Sequence, residues 1–413
     1  MPAESEPLVG EFGAPYAQRG TNQQGMRAHN ERLVLTLVRR RGPLAKSEIA
    51  RLTGLSAQTV SVIMRKLEAD RLLRRGEPQR GRVGQPSVPL ALDPEGAFFL
   101  GAKVGRRSLD VALVDFVGEL RWRRSDPVAW PTPQDSVRRI LAGAAEAVKS
   151  LGPAAERIAG LGVAMPFALW SWAEEIDAPS EEMDAWREAD IRGELAARLP
   201  WPVYVQNDAT AACGAELVFG AGSDLQDFLY LYVGAFCGGG LVLNGGLFSG
   251  RTGNAAALGS MPVPGPDGGS LQLIDVASLV VLERRLRAAG APADRLLYDP
   301  GADWSAFEPQ ASAWLEAAAR ALAHAVASAC AVLDLEAVLI DGAFPEPVKA
   351  RLIAAVAAAL AELDLSGVEP PELRPGGLGP ISRALGGASL PLFDRYLLDQ
   401  HALAFQPWLD AAR

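Results

Sequence analysis

Apolar residues recur at helical spacing three times in the first quarter of the chain. Leu33, Val34, Leu37 and Val38 do so over residues 30–41, and Gly42-Pro43 closes that helix. Residues 46–53 and 57–70 predict two further short helices. Gly54 between them can take the left-handed conformation that ends the first, and Ser56 can cap the second. Val60, Ile63 and Leu67 make one buried stripe, which leaves Ala57, Gln58, Thr59, Ser61, Val62 and Arg65 on the outer face. Residues 76–89, rich in Gly, Pro and Arg between the apolar segments 71–74 and 88–92, predict a β-ribbon wing. Residues 26–92 therefore predict a winged helix-turn-helix. Residues 1–25, without periodicity, predict a disordered tail, and Asp93-Pro94 a linker.

The remainder, 93–413, alternates between the two periods. Strand-like runs at 98–104, 109–115 and 119–124 precede a helix at 134–151 and a strand at 158–164. The order returns with strands at 228–233, 239–243 and about 246–249, a helix at 309–333, a strand at 337–340 and a helix at 346–362. Two such halves predict a duplicated α/β domain, with a cleft between lobes where small ligands usually sit.

Charge sharpens this division. Residues 19–90 hold 15 Lys and Arg against 5 Asp and Glu, whereas residues 91–413 hold 25 against 41. A basic module on an acidic body directs only the first part toward a polyanion, and double-stranded DNA suits its outer helix face. Ser56, Gln58, Thr59 and Ser61 can hydrogen-bond base edges or phosphates, Ala57 can touch a thymine methyl, and Arg65 can reach a phosphate or a guanine. In the wing, Arg80 and Arg82, with Gln85 nearby, sit among glycines that admit close backbone approach to a minor groove or to phosphates.

Cys213, Cys237 and Cys330 lack any CxxC spacing, so buried thiols are expected rather than disulfides or a metal knuckle. Residues 1–20 lack the basic start and apolar stretch of a signal peptide. Apolar runs such as 98–102 and 228–233 fall short of the roughly 20 residues that cross a bilayer. The expectation is a cytoplasmic chain with no membrane partner.

The segments Val205-Gln206-Asn207-Asp208-Ala209-Thr210-Ala211-Ala212, with Glu216 and Phe219-Gly220, and Val233-Gly234-Ala235-Phe236-Cys237-Gly238-Gly239-Gly240-Leu241, with Asn244-Gly245, come behind the winged helix. In this order the chain resembles the ROK family of repressors and sugar kinases. The resemblance implies an actin-like, ribonuclease H-like duplicated α/β fold, which agrees with the two halves. It also implies sugar hydroxyl contacts from Asn207 and Asp208, the aspartate being the general base of the kinases. Asp208, where a helix starts, could equally be an N-terminal cap.

Departures from the kinase pattern are several. The family's Asp-x-Gly-Gly-Thr turn reads Lys103-Val104-Gly105-Arg106-Arg107, and its Gly-Thr-Gly turn reads Gly234-Ala235-Phe236. A carboxylate that helps organise magnesium and a close backbone approach to phosphate are both lost. The Glu-x-Gly-His motif reads Ala257-Leu258-Gly259-Ser260, and the zinc loop falls on residues 265–272, which hold no Cys or His. Trp170 and Trp172, after Ala164-Met165-Pro166-Phe167, lie where the family has a loop near the sugar. The expectation is a non-enzymatic, cofactor-free and metal-free regulator. It would be a repressor of carbohydrate-related genes that binds an operator as a homodimer or homotetramer and takes a small sugar-like effector between the lobes. A sugar kinase with an appended DNA-binding domain, and a regulator whose second domain is only a dimerisation scaffold, remain open alternatives.

Overall fold

The computed structural model describes residues 23–78, 88–173, 176, 178–265, 268–291, 299 and 301–398. Its first unit is built from α1 (Gln23–Arg41), α2 (Lys46–Thr53), α3 (Ala57–Ala69) and the antiparallel pair β1 (Leu73–Arg75) and β2 (Leu90–Leu92). Gly54 ends α2 at φ +70°, and the Ser56 hydroxyl accepts from the Thr59 amide at 3.1 Å, so turn and cap form as the sequence expects. Met64 joins Val60, Ile63 and Leu67 in the buried stripe. Helix α1 begins at Gln23, earlier than expected, so the supposed tail loses its last three residues to the helix. Arg80, Arg82 and Gln85 lie outside the described residues.

The body is two lobes of like topology. In the first, β3 (Phe98–Val104), β4 (Ser108–Asp115) and β5 (Leu120–Pro127) form an antiparallel meander. Then α4 (Pro133–Leu151) leads to β6 (Ile158–Ala164), parallel to β3. Short helices α5 (Ser180–Asp184) and α6 (Ile191–Ala196) lead to β7 (Val203–Gln206), parallel to β6. The sheet order is β5-β4-β3-β6-β7.

After α7 (Asp208–Phe219) the second lobe repeats the scheme with β8 (Phe228–Val233), β9 (Cys237–Leu243) and β10 (Gly246–Leu247). A small ribbon, β11 (Pro262–Pro264) and β12 (Ser270–Gln272), and helices α8 (Ile274–Ala277), α9 (Leu279–Ala288) and α10 (Gln310–Leu333) come next. They are followed by β13 (Ala337–Gly342), α11 (Glu346–Ala361) and β14 (Glu372–Pro375). The sheet order β10-β9-β8-β13-β14 matches that of the first lobe strand for strand, which is the duplication the two-period pattern implied. Helix α10 is long and apolar enough to cross a bilayer, unlike the runs weighed in the sequence, yet Trp314, Ala318, Leu322 and Val326 bury it in the second lobe's core.

The linker is not a free hinge. Asp93 caps a turn at Pro94–Gly96, and Arg157 from the first lobe donates to Gly96 O and Asp70 O, each at 3.0 Å. The last helix, α12 (Ser382–Tyr396), leaves the second lobe and packs against α7 and against β3 and β6 of the first. That approach is backbone to backbone: a Cβ on Gly101 would meet Ala384 O, and one on Gly162 would meet Gly387 O. Overpacked cores lose about 1–3 kcal/mol, so Gly162→Ala is expected to lower stability by that amount or more. Urea denaturation checks it, and an unchanged midpoint would mean that α12 does not seat on this sheet.

Candidate functional site

Two surfaces carry the residues singled out in the sequence. On α3, Ser56, Ala57, Gln58, Val62 and Arg65 are exposed, while Thr59 and Ser61 are half-buried. Ser56 and Thr59 are engaged with each other, hydroxyl to hydroxyl at 2.8 Å, and Arg65 Nε donates to Ser61 O at 3.1 Å. Gln58, Val62 and the end of Arg65 are the parts of this face most open to a groove. At the foot of the wing, Arg75 pairs with Glu68 at 2.6 Å.

The second surface is a cavity of about 320 Å³ between the lobes, lined by Asn207, Asp208, Phe167, Trp172, Phe236 and Ser260 among others. The strand-to-helix turn between β7 and α7 supplies the first two. Asn207, not Asp208, caps α7: its Oδ1 accepts from Ala209 N at 3.1 Å and Thr210 N at 3.2 Å. The capping role weighed for Asp208 is therefore overturned. Asp208 is the first helical residue, and its carboxylate takes a charged donor, Arg383 Nη1 at 3.3 Å. Arg383, on α12, also lies over the Tyr232 ring, 4.7 Å from its centroid. Burial opposes its charge, but Tyr232, Asp208 and Asp110 outweigh that and hold its pKa above the ordinary value.

The turn after β3 is rebuilt around ion pairs. Lys103 Nζ donates to Ser108 Oγ at 2.8 Å and to Asp110 Oδ2 at 2.9 Å, and Arg123 reaches the other Asp110 oxygen at 3.2 Å. Burial, with Arg383 nearby, pulls the Lys103 amine down to about 8 against the attraction of Asp110. Arg106 crosses the cleft to Glu283 of α9 at 3.1 Å. At the other Gly-rich turn Phe236 packs on Trp172 from the first lobe, centroids 4.8 Å apart. Trp172 thus closes the cleft, while Trp170 instead underlies the Arg187 guanidinium at 5.3 Å.

Residues 99–276 match the model described as ROK family, and residues 27–82 match that described as MarR family. The chain carries a ROK family domain behind a MarR-type winged-helix domain. The protein y4fQ of Sinorhizobium fredii is 25% identical over 93% of this chain and 96% of its own length. A putative xylose repressor of Caldicellulosiruptor is 24% identical, over 57% of this chain and 58% of its own length. A solved ROK family transcriptional regulator, described as a homologue of the Escherichia coli MLC protein, superposes with a TM-score of 0.66. It covers 93% of this chain and 99% of its own at 21% identity. The ROK domain has the actin-like kinase fold that the resemblance implied.

Where that family has its zinc loop, β11 and β12 pair in antiparallel register and Gly265 N donates to Gly269 O at 2.8 Å. Among the described residues no cluster of three His, Cys, Asp or Glu side chains is placed to hold a metal. All three cysteines are buried thiols. Sequence reasoning missed Arg383, which lies 175 residues from Asp208, and no local motif marks it. It also missed the buried Lys349–Asp341 pair, 3.1 Å apart at the end of β13.

Lys103 gives a pH signature. Its folded pKa is below the unfolded one, so the unfolded chain binds more protons between about pH 8 and 10.5, and stability gains with rising pH there. Compared with Lys103→Met, the protein is expected to gain stability across that window, on the order of 3 kcal/mol, with a flat difference below it. Urea titrations at stepped pH check this, and a difference that stays flat across the window would place Lys103 in water.

Proposed function

We propose that this chain is a sequence-specific DNA-binding transcriptional regulator, a repressor of carbohydrate-related genes, and not a kinase. The observation that carries this reading is the fusion of an open α3 face to a ROK cleft whose phosphate-facing turns are filled from within. A kinase needs a carboxylate for magnesium and bare backbone at the phosphates. Here Lys103 and Asp110 neutralise each other in one turn, and Phe236 lies on Trp172 in the other. The name of the xylose repressor among its relatives agrees with this assignment.

DNA binding falls to α3 and the wing. Gln58 and Arg65 reach base edges or phosphates, Ala57 and Val62 touch methyl groups, and Ser56, Thr59 and Ser61 hold the start of the helix in register. Operators read by such heads are two-fold, so the working form is a homodimer or homotetramer in the cytoplasm. A small sugar-like effector fits the interlobe cleft beside Asn207 and Asp208, with Trp172 and Phe167 as apolar walls. Asp208 is offered to a hydroxyl once Arg383 yields, and Asn207 contributes its amide, since its oxygen caps α7.

Selection of bound duplexes from a random-sequence pool, then fluorescence anisotropy, tests the reading. One enriched motif is expected, with Arg65→Ala weakening it by about 1–3 kcal/mol or lowering its salt slope by about one ion. A sugar that releases this DNA is expected to lose its effect in Asp208→Ala. No enrichment at any salt concentration would sink the assignment, and sugar phosphorylation from ATP would restore the kinase.

A further inference from the structure

A cavity of about 550 Å³ opens where the DNA-reading unit meets the second lobe, and it shares no lining residue with the interlobe cleft. Helix α1 gives it Arg39 and Arg40, and the end of α7 gives Leu217. The β9–β10 hairpin adds Leu243 and Phe248, and the end of α12 adds Phe393 and Leu397. No Asp or Glu is among the described residues that line it. Arg39 is left incomplete: its Nη2 donates to Phe116 O, but its Nε is buried with no hydrogen-bond partner among the described residues. Asp115, the carboxylate whose field reaches it, is spent on Arg121 at 3.1 Å and on the amides of Val117, Gly118 and Glu119.

We propose that this cavity binds a small monocarboxylate with an aliphatic or aromatic body, its carboxylate beside Arg39 and Arg40 and its body against Leu217, Leu243, Phe248 and Phe393. A guanidinium fork matches a carboxylate's two oxygens, and hydrocarbon walls suit a body that leaves water. The volume is that of a pocket for one small molecule, which runs from roughly 300 to 1,000 Å³. A sugar fits poorly, because its hydroxyls need convergent polar partners and the Thr36 hydroxyl in this lining already accepts from Leu398 N at 3.2 Å. Burial pulls the Arg39 pKa down to about 10, a cost that a ligand carboxylate would relieve.

The walls come from both units, so such a ligand touches α1 and the second lobe at once. It binds the docked arrangement better than a detached one and thereby holds α1 in its seat. This is a point of control at the joint, separate from the effector cleft between the lobes. The regulatory consequence rests on the repressor reading; the binding itself is measured without DNA, so either can fail alone.

Isothermal titration of the full chain tests the proposal, with octanoate in one series, naphthoate in another, and octanol and acetate as the body and the head alone. Saturable binding of one molecule per chain is expected from at least one of the two larger carboxylates, with octanol and acetate about tenfold weaker or more. Octanoate alone would mark an aliphatic ligand, and naphthoate alone an aromatic one. Arg40→Gln should remove most of the advantage of octanoate over octanol. Asn244, in the same lining, is exposed at φ +53° in the hairpin turn, a conformation Asp also adopts, so Asn244→Asp adds a negative charge with the fold kept. It should weaken carboxylate binding about threefold or more and leave octanol unchanged. At saturation octanoate should also slow amide exchange over residues 34–41. Absence of saturable carboxylate binding at millimolar concentration, or octanol as tight as octanoate, overturns the site. Unchanged carboxylate affinity in both Arg40→Gln and Asn244→Asp overturns the placing of the head group, and unchanged exchange over 34–41 overturns the hold on α1.

Discussion

The guanidinium of Arg39 ties the DNA-reading unit to both lobes at once. It leaves the last turn of α1, donates to Phe116 O in the first lobe, and lies over the rings of Phe116 at 5.3 Å and Phe219 at 5.7 Å. Phe219 ends α7, the helix that begins at Asp208 in the cleft. Burial pulls the Arg39 pKa down to about 10, with Asp115 opposing, so the group is still a cation at neutral pH. A half-buried cation with no ion pair among the described residues is costly unless dipoles and rings offset it, which fixes where α1 can sit. Arg40 on Gly245 O, and the Thr36 hydroxyl accepting from Leu398 N at 3.2 Å, extend the same seat into the second lobe. The core is accordingly continuous from Val34 and Val38 through Phe116 to α7 and α12.

On the function proposed above, such a seat would let chemistry in the cleft set the position of the reading head. Asp208 and Phe219 are the two ends of one rigid helix, and α12 carries Arg383 at one end and Tyr396, packed edge-on against Phe99 and Phe116, at the other. A ligand bound at Asp208 would act on both helices, and packed side chains, not a free linker, would carry its effect to α1.

The sequence already carried most of the architecture, because period 2 and period 3.6 are local properties of the chain. Strand ends at Phe98, Val104, Ile158 and Ala164 fell where short, continuously apolar runs place fully buried strands. So did Gly54 and Ser56, whose roles are set by their own φ and side chain. What stayed hidden is non-local. Arg39 reads as one of three consecutive arginines in the last turn of α1, and only tertiary packing distinguishes it from a solvated charge. Arg383 has no motif, and the cap assignment at 207–208 turned on a single residue, because Asn and Asp are equally good caps and only the backbone decides. The losses at Lys103 and Phe236 were visible by resemblance; that they are filled by an ion pair and a ring contact was not.

Hydrogen exchange of the amides at residues 34–41 tests the joint directly. A helix docked through Arg39 should be protected nearly as well as β3, and Arg39→Ala should release α1 while β3 keeps its protection. Fast exchange of α1 in the unmodified protein, unchanged in Arg39→Ala, would contradict a reading head seated on both lobes.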